Sequence, residues 1–150
     1  MCYETLSIYY NVFQTPSKST LKYQANHNII NMKINPEFAD KIMSGKKKFE
    51  YRTHVPSRPI NSIVIYSTFP VGKIIGEVEV IDTISGAPSS LWEATKVESG
   101  ISRAKYRKYF KGRKRAYAFK LGQVKKFEYE TCLEDYGITQ APQSFVYLSE

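Results

Sequence analysis

The chain has 150 residues, 42% of them apolar and 24% charged, the balance of an ordinary globular protein and a length suited to one domain. Its 22 Lys and Arg outweigh 14 Asp and Glu by +8, a charge that speaks for phosphate-rich or otherwise anionic partners and not for any particular fold. No apolar run approaches the ~20 residues that span a bilayer, and neither cysteine, Cys2 nor Cys132, belongs to a CxxC pair. A membrane protein is therefore not expected, and both cysteines are expected as free thiols of a cytoplasmic protein.

In chain order, residues 1–29 read as a loosely ordered leader. They mix Tyr3, Tyr9, Tyr10 and Tyr23 with polar and Pro-containing stretches, without a sustained period. Residues 1–13 hold no Lys or Arg and include Glu4, unlike a signal peptide. The expected domain runs from 30 to 150. A strand at Ile29 to Ile34 precedes a helix capped by Asn35, with Pro36 at its first position and Gly45 ending it. Lys46 to Arg52, Ser62 to Thr68 and Lys73 to Ile84 read as strands, the last with Glu77 and Glu79 facing solvent. Ser90 and Glu93 have capping-box spacing for a second helix carrying Trp92, and Ser102 caps a third that reaches Phe110. Ala116 to Leu121 is a strand that Val124 to Phe127 continues, and an extended tail closes the chain. Many strands with few inserted helices predict an α+β fold: a small β-barrel with two or three short helices at its rim.

Two clusters carry chemistry. From Arg103 to Arg115, eight of thirteen residues are basic and none is acidic. Folding gives no reason for such unopposed charge, whereas phosphate neutralises it and counterion release then drives binding. Arg103, Lys105, Arg107 and Lys111 are the expected phosphate contacts, and the interleaved Tyr106 is the expected stacking partner for a base. Phe110 is expected in the core. The second cluster is Gly45-Lys46-Lys47-Lys48-Phe49-Glu50-Tyr51-Arg52. On a strand, Lys48, Glu50 and Arg52 share one face and Lys47, Phe49 and Tyr51 the other. A twist at the strand start would bring Lys47 round to Glu50. The bland alternative is a solvated face of paired charges.

Gly45-x-Lys47-x-x-Glu50-x-Arg52 resembles the GxKxxExR signature of the ASCH domain family. Ile65-Tyr66-Ser67-Thr68-x-Pro70, Ile75-Gly76-Glu77, Ser99-Gly100-Ile101-Ser102, Tyr109-Phe110-x-Gly112 and Ala141-Pro142-Gln143-Ser144-Phe145 follow in the family's order, so the resemblance extends from about 30 to 148. It implies a PUA-like barrel with a cleft lined by the signature residues. It also implies an RNA- or nucleoside-binding module in RNA processing or translation-linked regulation. Lys47, Arg52, Tyr66, Ser67 and Thr68 are read as the cleft's nucleic-acid contacts. Some family members are enzymes: a ribonuclease, and small bacterial hydrolases of N(4)-acetylcytidine that use a Lys, a Thr and a Glu. By position these correspond to Lys47, to Glu50 in place of the Thr, and to Glu98. If the chain is an enzyme, Lys47, Glu50 and Glu98 are its candidate catalytic residues.

His54 has no second ligand at metal spacing, so no metal site and no cofactor are expected. The expected partner is RNA or a nucleoside, bound by a monomer. The substitution of Glu50 for a hydroxyl yields a first prediction. Covalent amide hydrolysis needs a nucleophile beside a base, and the nucleophile is missing. Purified protein is expected to release no acetate from N(4)-acetylcytidine, by chromatographic assay, at any rate approaching ~1 per second.

Overall fold

The computed structural model describes residues 28–148. The expected leader lies outside them except for its last two residues. In order, the elements are β1 (Ile29–Ile34), α1 (Pro36–Met43), β2 (Phe49–Arg52), β3 (Ser62–Ser67), β4 (Lys73–Gly86), α2 (Pro88–Thr95), α3 (Arg103–Tyr109), β5 (Ala116–Thr131) and β6 (Phe145–Tyr147). Short 3-10 turns occupy Lys96–Glu98 and Leu133–Tyr136.

The strands form one mixed sheet in the order β2-β5-β4-β3-β1-β6. Only β1 and β3 run parallel, which their sequence demands: α1 lies between them and returns the chain to the starting edge. The sheet curls into a half-barrel and does not close, because β2 and β6 remain edges. These strands have only four and three residues, and a short edge is one way to avoid edge-to-edge association. A side chain spans the remaining gap: Arg52 on β2 donates from Nη2 to the Lys33 carbonyl of β1, at 3.0 Å.

The concave side holds the main core. Ile30, Met32 and Ile34 of β1, Ile63 and Ile65 of β3, Val78 and Val80 of β4, and Phe119 and Leu121 of β5 converge there. Helix α1 plugs one end through Ala39 and Ile42. Its start is as the residues require: Asn35 accepts from the Glu37 N–H, and Pro36 takes the first turn. On the opposite side, α2 and α3 pack Leu91, Tyr106 and Phe110 against Phe49, Tyr51, Ala116 and Ala118. Trp92 is partly buried against the same cluster. A third cluster, with Val64, Ile74 and Leu133, covers the outer face further along.

Three expectations change. Helix α2 is not started by a Ser90–Glu93 box. It starts at Ala87, with no side-chain cap, because Pro88 already presets the first helical residue. Strand β2 begins at Phe49 and not at Lys46, which frees Lys47 from strand geometry. Cys132 is not a free thiol, as no free cysteine occurs among the described residues.

Gly76 on β4 is packed directly against backbone. A β-carbon there would lie 2.6 Å from the Lys125 carbonyl oxygen on β5 and 2.6 Å from the Met43 sulfur of α1. One contact is backbone held in a ladder, so it cannot yield cheaply. Gly76→Ala is expected to destabilise by about 1–3 kcal/mol through overpacking. In thermal denaturation this appears as a melting temperature lower by roughly 3–12 °C, with α1 displaced from the sheet.

Candidate functional site

Strand β2 has two faces with different tasks. Phe49 and Tyr51 enter the core beneath α2 and α3, so alternation turns Glu50 and Arg52 to the barrel side. Lys47 precedes the strand, and its side chain is free to turn inward. It is only 2% exposed. Its Nζ donates to the Ser99 carbonyl at 2.9 Å and stands 3.6 Å from Glu50 Oε2. Two rings line the rest of the ammonium's surroundings, Tyr51 with its centroid at 4.8 Å and Phe38 at 5.4 Å.

Glu50 serves two cations. Its other oxygen, Oε1, accepts from Arg52 Nη2 at 2.9 Å. Lys47 and Arg52 thus share one buried carboxylate, and the Lys33 and Ser99 carbonyls complete the set. The cluster carries an excess of one positive charge. Burial pulls the Lys47 ammonium below its ordinary 10.5, although Glu50 opposes the shift. Desolvation thus outweighs the pairing with Glu50. Arg52 Nε and Ser67 Oγ are buried without a hydrogen-bond partner.

The wall around Lys47 is close-fitting. Gly100, at φ +64, lies against it so tightly that a β-carbon would sit 2.5 Å from Lys47 Cβ. Helix α1 brings Phe38, whose ring also meets Lys41 and Lys105 at 5.7 and 5.4 Å. Glu37 draws those two lysines together, accepting from Lys41 at 3.0 Å and from Lys105 at 2.6 Å, and both hold its carboxyl below the ordinary range. Lys41 also donates to the Gly100 carbonyl. Through Lys105 the buried cluster adjoins helix α3.

All eight basic residues between Arg103 and Arg115 are exposed. Arg103 and Arg107 stand one turn apart and extend into water, whereas Tyr106 and Phe110 are each 3% exposed. Tyr106 cannot stack on a base. It is a core residue: its hydroxyl donates to the Pro88 carbonyl at 2.8 Å, and burial pushes its pKa up to about 12. Tyr66 lies apart from the cluster. It packs on the outer face with Val64, while Ser67 continues the inward row of Ile63 and Ile65. Thr68 starts the following turn, its N–H donating to the Ile34 carbonyl. Glu98 is not brought to Lys47. It lines an open groove of about 640 Å³ with Gly45, Lys48 and Lys120, and its carbonyl accepts from the Lys48 N–H just ahead of β2. The groups that do meet Lys47, the Ser99 carbonyl and the Phe38 ring, carry no sequence signal beyond a turn and an apolar helical stripe.

These signature residues have a known setting. The ASCH domain model matches residues 32–130. The chain belongs to the ASCH domain family. It is 34% identical over 117 residues to an ASCH domain-containing ribonuclease of Zymomonas mobilis, covering 75% of this chain and 79% of that protein. The crystal structure of ASCH from Zymomonas mobilis superposes with a TM-score of 0.77 at 31% identity, over 83% of this chain and 90% of that one. The domain also shares 31% identity over 98 residues with the ribosomal protein uL22 of Ureaplasma parvum, spanning 31% of its length. The fold is accordingly the PUA-like α+β half-barrel of this family. No described helix is long and apolar enough to cross a membrane, and no cluster of potential metal ligands occurs among the described residues.

The shared carboxylate makes unequal mutants. Glu50→Ala leaves two buried cations unpaired and is expected to cost about 3–5 kcal/mol. Lys47→Met removes a desolvated charge and leaves Glu50 with Arg52, so its cost is expected to be smaller. Denaturant melts of the two variants check the order. Carbon-13 NMR titration of the lysine side chains is expected to place Lys47 below 10.5, and lower still in Glu50→Gln, because Glu50 is what raises it.

Proposed function

We propose that this ASCH domain binds single-stranded RNA, with the backbone along the exposed basic run and one nucleotide at the end of the half-barrel. The observation that carries the reading is the continuity of positive charge. Exposed Arg103, Arg107 and Lys111 supply phosphate contacts. Lys105 and Lys41 lead from α3 to α1, and the Lys47–Glu50–Arg52 cluster lies behind them. The exposed cations are cheap to hold and easily neutralised by phosphate. The buried ones have a fixed geometry suited to a single group. In this reading the domain acts as a monomer in the cytoplasm, where its ligand is.

The Zymomonas relative, a ribonuclease by name, favours a second reading in which the bound RNA is also cleaved. An ammonium whose pKa is pulled down by burial gives up its proton more readily than an ordinary lysine, and Lys47 is the residue to which such a step falls. Glu98, in its open groove, is not part of that reading.

Fluorescence anisotropy with a labelled oligoribonucleotide tests the binding. With about four phosphates contacted, the log–log salt slope is expected near −3, or about fifty-fold in affinity between 50 and 200 mM salt. Reversal of charge at Arg103, Arg107 and Lys111 is expected to weaken binding and flatten the slope. Affinity indifferent to both sinks the proposal. Gel analysis of the same samples reads cleavage, which in the second reading disappears in Lys47→Met while binding persists.

A further inference from the structure

The fold places Tyr106 in the core and Tyr66 on the outer face, so the base contact of an RNA-binding surface has to come from elsewhere. Phe69 is 90% exposed, more than any other large aromatic among the described residues. It stands at the tip of the β3–β4 hairpin, beyond Ser67 and Thr68. An aromatic ring presented to water contributes nothing to packing, and a polar residue would serve a turn equally well.

The tip is pinned. The Thr68 carbonyl accepts from the N–H groups of Val71 at 3.0 Å and Gly72 at 3.3 Å, and the Thr68 N–H donates to the Ile34 carbonyl at 3.0 Å. The turn is thus tied both to itself and to β1, and the Phe69 backbone is held in a defined place.

The strand behind the tip carries unmet polar demand. Ser67 is 1% exposed, and its Oγ has no hydrogen-bond partner. On β1 its register partner is Ile34, which follows the Lys33 whose carbonyl takes the Arg52 guanidinium. Arg52 Nε is likewise buried and unpartnered. Buried groups left in this condition in a folded protein require a reason, and a ligand is a common one. An exposed π-face two residues from an unpartnered hydroxyl fits one chemical class, a nucleotide with a flat base and polar edges.

We propose that the β3–β4 tip is a nucleobase subsite in which Phe69 stacks the base and Ser67 Oγ takes a polar group of the same nucleotide. The proposal rests on the RNA-binding reading and narrows it: α3 holds phosphates, and the hairpin holds a base. Stacking accepts any base, so the subsite gives affinity without strong sequence preference.

The experiment uses the full chain with two labelled probes of equal charge, an eight-residue oligoadenylate and its abasic counterpart. Phe69→Ala is expected to weaken oligoadenylate binding about five-fold or more, at an unchanged salt slope and melting temperature. Phe69→Trp is expected to retain binding. Ser67→Ala, which keeps the buried volume nearly intact, is expected to weaken the same probe. With the abasic probe the Phe69→Ala loss is expected to vanish. Wild-type affinity for oligoadenylate in Phe69→Ala, or an equal loss on the abasic probe, would overturn the subsite while leaving RNA binding in place. If the wild-type protein binds neither probe, the RNA-binding reading fails, and the subsite with it.

Discussion

Removing the Lys47 ammonium from water is the step on which the rest of this site depends. An isolated cation of that size in a protein interior costs several kcal/mol, and the fold offsets it from several directions. One carboxylate, one carbonyl and two ring faces surround the charge. They come from three segments: Glu50 and Tyr51 from β2, Ser99 from the loop after α2, and Phe38 from α1. A charge that needs all four can be satisfied only when those segments are assembled. The lysine thereby specifies the relative position of helix, strand and loop, although it adds little net stability. Gly100 belongs to the same constraint, because any side chain at that position would take the space of the lysine stem.

The two faces of β2 explain why a single short strand can hold both a core and a site. Tyr51 is buried, and its hydroxyl donates to Thr95 Oγ1, which in turn donates to the Leu91 carbonyl. That chain of hydrogen bonds fixes α2 to the strand. The other face holds Glu50 between two cations. Arg52 then uses the same nitrogen to reach β1, so the residue that completes the ion cluster also spans the open side of the half-barrel. Burial pushes the Tyr51 hydroxyl pKa upward and that of the Lys47 ammonium downward.

Local signals were the readable ones. Asn35-Pro36, the β-branched run of β3, Ser102 before α3 and the Gly45 turn each act within a few residues, and each appears in the structure as read. The signature spacing was legible for the same reason, and so was its approximate fold. What the sequence hides is which face of an element is turned inward once partners are chosen. Tyr106 and the basic residues around it look interleaved in one dimension, yet the aromatic ring is core while the basic side chains stay in water. Tyr66 and Ser67 are neighbours in the chain and lie on opposite sides of the sheet. Glu98 precedes the residue that binds Lys47 but itself lines an open groove. The Ser99 carbonyl is a backbone group, so no residue type announces it.

The distribution of charge between surface and interior also separates two kinds of recognition. The exposed run on α3 and beyond it can meet any polyanion, and long flexible side chains there tolerate many geometries. Such a surface supplies attraction without position. The Lys47–Glu50–Arg52 cluster has the opposite character, because its members are held by buried partners and cannot adapt. Its two unsatisfied neighbours, Arg52 Nε and Ser67 Oγ, are costly to leave unmet in the absence of a ligand. A fold that retained them for stability alone would do better with apolar side chains of similar size. Their persistence beside a paired lysine leaves polar atoms that an incoming group can satisfy, which fits the proposed ligand: the flexible cations deliver that group and the rigid ones fix where it stops.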